Sequence, residues 1–348
     1  MRSTSDATGA FVTGWRRVLS APRLVAGVWL ATVLAALPAA LAVKSAIAAD
    51  LGASLVASRV AAGVDAGWWQ EFQARAQAEA ATLSSSVIGA AAPVANWSQF
   101  VDAPGVPPAL FVAVAVGLGV WVFLSGGLID RLARGRPIGT RAFFGACGVF
   151  FFRFLRLMLV VGAAYWLIAA PFHRLLFDGV YRWLIRDLSS ERLAFGWRVI
   201  CYAIWLAPLV VVNVVADYAK ARAVIEDRRS MLGALAAGAR FVRRHRIAVS
   251  ALYLANALVL AVAFALYLLV APGSHGGDWR LLAVLAIGQA WILMRIVTRL
   301  AFLSTSAALV QRSLAHAEYT AAPPPVWPDS PAAEAIENAA RFGTRPTP

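Results

Sequence analysis

Asp217 is the only acidic residue inside the long apolar runs of this chain, and arginines recur at comparable depth in neighbouring runs. Arg153 and Arg156 stand early in one run, Lys220 follows Asp217 just past the end of another, and Arg295 and Arg299 lie in the last. Ionised groups in hydrocarbon are costly unless they pair, reach a phosphate, or line a path for a solute or ion. Two readings of these six residues stay open. In one they snorkel, pair with each other and bind headgroup phosphates. In the other, Asp217, Lys220, Arg153, Arg156, Arg295 and Arg299 form a charged inner-rim site for a substrate, lipid or ion. A carboxylate at that depth needs a cation beside it. The expected partner of Asp217 is therefore an arginine of the third or sixth run, with Lys220 a local competitor at i+3.

Other chemistry is sparse. The four histidines, His173, His245, His275 and His316, are scattered among connectors and tail. None belongs to an H-E-x-x-H or to a Cys/His spacing suited to zinc. No G-x-x-x-x-G-K loop and no Ser nucleophile elbow occurs, so the chain is not itself a P-loop ATPase. His173 with Asp178 is the nearest approach to an acid–base pair, and no further motif joins it. Cys147 and Cys201 are expected near opposite faces of a membrane, too far apart for a disulfide. The reading leans to a non-enzyme, with no cofactor and no metal.

The elements that position these residues are six apolar runs, 24–46, 108–128, 150–170, 199–218, 247–271 and 281–310. Each is about 20 residues long, enough to cross a hydrocarbon core as a helix. A backbone in lipid must satisfy its own hydrogen bonds, which a helix does. The fold class is all-α, a polytopic membrane protein of about six transmembrane helices. Hydrophobic residues make up 60% of the chain and charged ones 14%, outside the range of a soluble domain.

The formal charge of +14 is that of many nucleic-acid binders, but the basic residues sit beside the runs, where they orient spans and meet anionic headgroups. The N-terminal segment has Arg2, Arg16, Arg17 and Arg23. The connector after the second run has Arg131, Arg134, Arg136 and Arg141, and the one after the fourth has eight basic residues from Lys220 to Arg246. The intervening connectors are poorer in net positive charge. This pattern places both termini in the cytoplasm of a bacterial inner membrane. Partners are then membrane lipids, with anionic headgroups at the cytoplasmic face, and other membrane proteins, not nucleic acid. Ala46-Ile47-Ala48 resembles a signal-peptidase site, but the run before it is longer than an h-region, so an uncleaved first span is expected.

Amphipathic segments flank the spans. Residues 11–20, 141–153 and 230–246 each mix apolar and basic residues before an odd-numbered run, which predicts three in-plane elbow helices and a weak threefold repeat. Ser230 is placed to cap the last of them, and Ser189 or Ser190 the fourth span. The outer insertion at about 50–107 carries Trp68, Trp69 and Phe72 on one helical face, with helix expected to Ala81. The connector 174–186 reads as a helix lying in the outer interface. The organisation is thus a cytoplasmic amphipathic N-terminus over 1–23, a six-span domain over 24–312, and a proline-rich cytoplasmic tail over 313–348, with a short helix possible at 332–342.

Ser125-Gly126-Gly127-Leu128-Ile129-Asp130, the aromatic-rich 150–157 and the segment 217–244 resemble parts of uncharacterised multi-span bacterial inner-membrane proteins. In those an acidic residue, then a basic one, precedes a Ser-initiated amphipathic segment ending in a basic pair. The resemblance covers about half the chain. It implies the membrane fold and location, and brings no chemistry. The expected function is a non-enzymatic scaffold or permease-like subunit; the alternative is a transporter or lipid-handling protein using the inner rim.

Overall fold

The computed structural model describes residues 2–52, 54–62, 65–77, 80, 111–135, 137–270 and 279–321. These form α1 (Arg2–Leu19), α2 (Pro22–Leu51), α3 (Ala57–Ala62), α4 (Ala66–Arg75), α5 (Phe111–Arg134) and α6 (Thr140–Leu167). After α6 come two π-helical stretches, Ile168–Phe172 and Leu175–Tyr181, then α7 (Arg182–Ile185), α8 (Glu191–Ile225), α9 (Met231–Arg244), α10 (Arg246–Val270) and α11 (Trp279–Ala321). No strand occurs among the described residues. Among the described residues six helices are long and apolar enough to cross a membrane, at Pro22–Leu51, Phe111–Arg134, Thr140–Ile185, Glu191–Ile225, Arg246–Val270 and Leu282–Ala315. The chain is an all-α polytopic membrane protein. Contacts divide it into the units Met1–Val310 and Gln311–Pro348. The proline run and the expected helix at 332–342 lie outside the described residues, as does 81–110 of the outer insertion.

Packing is concentrated at one end of the first unit. Lipid offers no hydrophobic drive for helices to associate, so close approach through small residues and interhelical hydrogen bonds carries the assembly. Gly126 and Gly127 of α5 press on α6: a Cβ there would lie 2.6 Å from Phe150 Cβ and 2.6 Å from Cys147 Sγ. Gly238 of α9 presses on α8, where a Cβ would come 3.0 Å from Ala219 N and Val215 O. Gly14 of α1 presses on α11 at Thr305. Leu128, Leu132, Leu300 and Val18 then fill one cluster and Val122, Phe154, Leu157, Ala219 and Leu303 another, so α11 is shared by both. It is the central helix: 61% of its most apolar window is buried, against 6% for the first and fifth spans. We call this packed end, which carries α1, α9 and the α5–α6 turn, the elbow end.

Two polar devices fix the centre. Asn256 of α10, fully buried, accepts from Trp15 Nε1 of α1 at 2.9 Å and donates to Thr305 Oγ1 of α11 at 3.1 Å. Ser304 Oγ donates to the Gly14 carbonyl at 3.0 Å. Farther out, Trp29 Nε1 of α2 donates to Gln289 Oε1 of α11 at 2.9 Å.

The structure departs from the sequence expectations in four places. The predicted elbow over 141–153 is no separate helix; it is the start of α6, because nothing between Thr140 and Leu167 breaks the helix. The interface helix over 174–186 is instead a continuation of the third span, which runs helically from Thr140 to Ile185. Pro171 lacks an amide hydrogen, and the surrounding π-helical stretch absorbs it without ending the run. Helix α4 stops at Arg75 rather than Ala81, after a start capped by Asp65, whose carboxylate accepts from the Trp68 amide. Ser190 occupies the N-cap of α8 but makes no side-chain cap bond, whereas Ser230 caps α9 as expected, accepting from the Gly233 amide at 3.1 Å.

Candidate functional site

Among the described residues, ion pairs and hydrogen bonds sort the six inner-rim residues into three sets. Asp217 sits on α8, 7% exposed. Its Oδ1 lies 3.0 Å from Lys220 Nζ, and its Oδ2 accepts from the Tyr253 hydroxyl of α10 at 2.7 Å. No arginine comes within ion-pair distance of it among the described residues, so the expected partnership with the third or sixth span is wrong. The reason is geometric. Asp217 faces α10, and Lys220, one turn along its own helix, reaches it first. Tyr253 also packs on Phe302 of α11, with ring centroids 5.0 Å apart. Asp217 thus does tie α8 into the bundle, through a tyrosine instead of an arginine.

Arg153 belongs to a second group, at the turn between α8 and α9. Its Nη1 lies 2.6 Å from Asp227 Oδ1 and also donates to the Arg228 carbonyl at 3.4 Å. Glu226 bridges Arg222, at 2.6 Å, and Arg228, and Arg222 reaches on to the Ala237 carbonyl of α9 at 3.0 Å. Asp227 adopts φ 45°, a left-handed conformation that stops α8 and directs the chain into α9. The i,i+4 pair of Arg222 and Glu226 is therefore part of a larger clasp holding a bent helix–helix turn.

Both acids of this clasp sit below their ordinary carboxylate range. Burial raises Glu226, but hydrogen bonds and charge from Arg222 and Arg228 outweigh it; for Asp227 the hydrogen bond and charge of Arg153 dominate. A depressed carboxyl contributes stability that is complete above its unfolded value, near pH 4, and is lost as pH falls through the folded value. We expect the carboxyl carbon resonances of Glu226 and Asp227 to titrate at lower pH than in Arg222→Gln and Arg153→Gln respectively. Unchanged midpoints would show that the pairs do not form in solution.

The third group is Arg156, Arg295 and Arg299, all exposed and without a carboxylate at ion-pair distance among the described residues. Arg299 lies with its guanidinium carbon 3.5 Å from the centre of the Trp121 ring of α5, a cation–π contact. Tyr165 of α6 donates to Asn213 Oδ1 of α8 at 3.4 Å.

Neither the tight clasps nor the exposed arginines make a nucleophile and base. His173 packs against Phe177 and meets Trp205 edge-on, and Asp178 pairs with Arg182 at 3.1 Å. No group of three or more His, Cys, Asp or Glu suited to a metal ion occurs among the described residues.

Sequence reasoning missed Tyr253, Asn256 and Arg131. Asn256 had a readable signal, a lone amide within an apolar span; Tyr253 had none until its partner was known. Sequence reads Arg131 as a connector charge, but α5 continues to Arg134 and buries it, 8% exposed, with Nη1 sealed from water and without a hydrogen-bond partner among the described residues. Comparison with known proteins finds no matching family model, no matching curated protein and no matching solved structure.

Proposed function

We propose that this chain is a non-enzymatic scaffold or permease-like subunit of a bacterial inner membrane, with the elbow end and both termini in the cytoplasm. Arg16, Arg17, Arg134, Arg141, Arg243 and Arg244 gather at that end, which supports the orientation. The observation that carries the scaffold reading is the contrast between the two ends of the bundle. At the elbow end every described carboxylate from Asp217 to Asp227 is closed on a cation. Away from it, Leu30, Leu34, Leu37 and Leu41 of α2 and Leu254, Leu258, Leu266 and Leu269 of α10 stand exposed. Such a molecule has a rigid base and long apolar helix faces free to meet lipid or the helices of another membrane protein.

A photo-crosslinking residue at position 34 or 258 tests this in native membranes. The expected product is a discrete adduct with one membrane protein that also co-purifies in mild detergent. Adducts to lipid alone, with the chain isolated as a homogeneous single species, would remove the reading.

The transporter or lipid-handling alternative draws its support from Arg156, Arg295 and Arg299. Arginines left without an acid at membrane depth favour an anion or an aqueous path beside them. Neutralising Arg295 and Arg299 together, with expression retained, would then abolish lipid or solute binding; unchanged binding would discard this site.

A further inference from the structure

A groove of about 1080 Å³ runs between α2 and the α5–α6 hairpin. Its walls are apolar: Val28 and Ala31 on one side, Phe123, Phe143, Phe144 and Phe151 on the other. One end is formed by residues 20–24 and 137–140, the two short turns of the elbow end. Along α5 it extends from Gly119 to Arg131, about 18 Å of helix. That is close to the depth of one bilayer leaflet, about 15 Å.

The end of the groove is built for an anion by three independent features. First, α2 and α6 both begin there, at Pro22 and Thr140. Neither N-terminus has a side-chain cap or an acid in its first turn; Pro22 has no amide hydrogen and the Leu24 amide bonds the Ala21 carbonyl, so the first turn of α6 offers most of the free amides, and the positive ends of two helix dipoles meet in one place. Second, Arg131 lines the groove, and no carboxylate stands at ion-pair distance from it among the described residues. The neighbouring acid, Asp130, is taken by Arg134 at 2.9 Å. Third, Arg23 also lines the groove, and no acidic residue does among the described residues. A guanidinium at this depth with no carboxylate beside it is costly, and an anion in the groove offsets that cost.

The geometry points to a bound anionic phospholipid, with its phosphate at Arg131, Arg23 and the two helix N-termini, and its acyl chains along the phenylalanine wall. The polar end and apolar length match the two halves of that molecule, and arginine with helix N-termini is the chemistry that recognises a phosphate. A free phosphate would use only the polar end and leave the aromatic wall without purpose.

The test uses the full chain in mild detergent, delipidated, then supplied with phosphatidylglycerol, phosphatidylcholine or inorganic phosphate. Retention is read by native mass spectrometry and stability by thermal unfolding. We expect one retained phosphatidylglycerol with a raised Tm, and little effect from phosphatidylcholine or phosphate. Arg131→Met is expected to weaken retention at least tenfold, the scale of one lost charge-assisted hydrogen bond. It should leave the lipid-free protein no less stable, since it removes an unpaired buried charge. A second variant keeps every charge and blocks the acyl path. A Cβ at Gly27 meets nothing within 4 Å and Gly27 lines the groove, so Gly27→Phe grows into open space and should also lose the lipid. Arg240→Met, a neutralisation of an exposed residue on α9, should keep it. Equal stabilisation by phosphatidylcholine, full effect from phosphate alone, retention by Arg131→Met or Gly27→Phe, or loss by Arg240→Met would each overturn the assignment.

Discussion

Asp217→Leu is expected to destabilise the bundle by about 3 kcal/mol or more, because it strands a cation and a hydroxyl that were closed on one carboxylate. The side chain of Asp217 is 9% exposed and that of Lys220 22%, so neither partner is simply returned to water. Three further variants separate the contributions. Asp217→Asn keeps an acceptor for Tyr253 and loses only the charge facing Lys220; a cost of about 1–2 kcal/mol is expected, since lysine can turn its head outward. Tyr253→Phe removes the donor from α10 and leaves Oδ2 unmet, again at about 1–2 kcal/mol. In Asp217→Leu/Lys220→Leu the stranded charge is gone, and much of the loss should be recovered. Denaturant unfolding in detergent, arranged as a double-mutant cycle, measures each step. If Asp217→Leu unfolds as the parent does, the carboxylate is not what joins α8 to α10.

The same carboxylate shows where sequence reading succeeds and where it stops. Its need for a partner follows from one acid standing in an apolar run, and the partner exists. Which residue it is depends on the rotation of α8 about its axis, and hydropathy does not encode rotation. Tyr253 is one of several aromatic residues in apolar runs, and nothing local distinguishes it. The six spans themselves are legible because length and hydropathy alone define them. Their ends are less so: α5 runs six residues past its apolar stretch to Arg134, and that extension turns Arg131 from a rim charge into a buried one.

The elbows divide in the same way. Residues 230–244 have a capping serine and a strongly one-sided apolar face, and form α9 as read. Residues 141–153 carry phenylalanines around more than half of the helix circumference, Phe143, Phe144, Phe150, Phe151 and Phe152, which suits a helix surrounded by lipid and other helices better than one lying in an interface. The third connector reads as an interface helix because its apolar and charged residues alternate at helical spacing, a pattern that also suits the end of a long span. A π-helical stretch lets the third span continue past Pro171, and sequence pattern gives no warning of that choice.

Gly14→Ala is expected to lift α1 off the bundle, a large effect for one added methyl. A Cβ at this position would lie 2.4 Å from Thr305 Cγ2 and 2.7 Å from both Thr305 Cα and N. Two of those three atoms are backbone of the central helix and cannot rotate away. The third is held as well, because Thr305 Oγ1 accepts from Asn256 and donates to the Phe302 carbonyl. The helices must therefore separate. Separation breaks the bond from Ser304 to the Gly14 carbonyl and the bond from Trp15 to Asn256. Overpacking costs about 1–3 kcal/mol and each lost hydrogen bond about 1 kcal/mol, so a total near 3–5 kcal/mol is expected. Thr305→Ser should rescue little, since it removes Cγ2 and leaves the backbone clash in place. Gly27→Ala is the contrasting control, because a Cβ there meets nothing within 4 Å. Ala10, fully buried one turn before Gly14, reports the movement: as Ala10→Cys it should react with a maleimide only when Gly14→Ala is also present. Equal labelling with and without Gly14→Ala would mean that α1 is not held by its approach to Thr305.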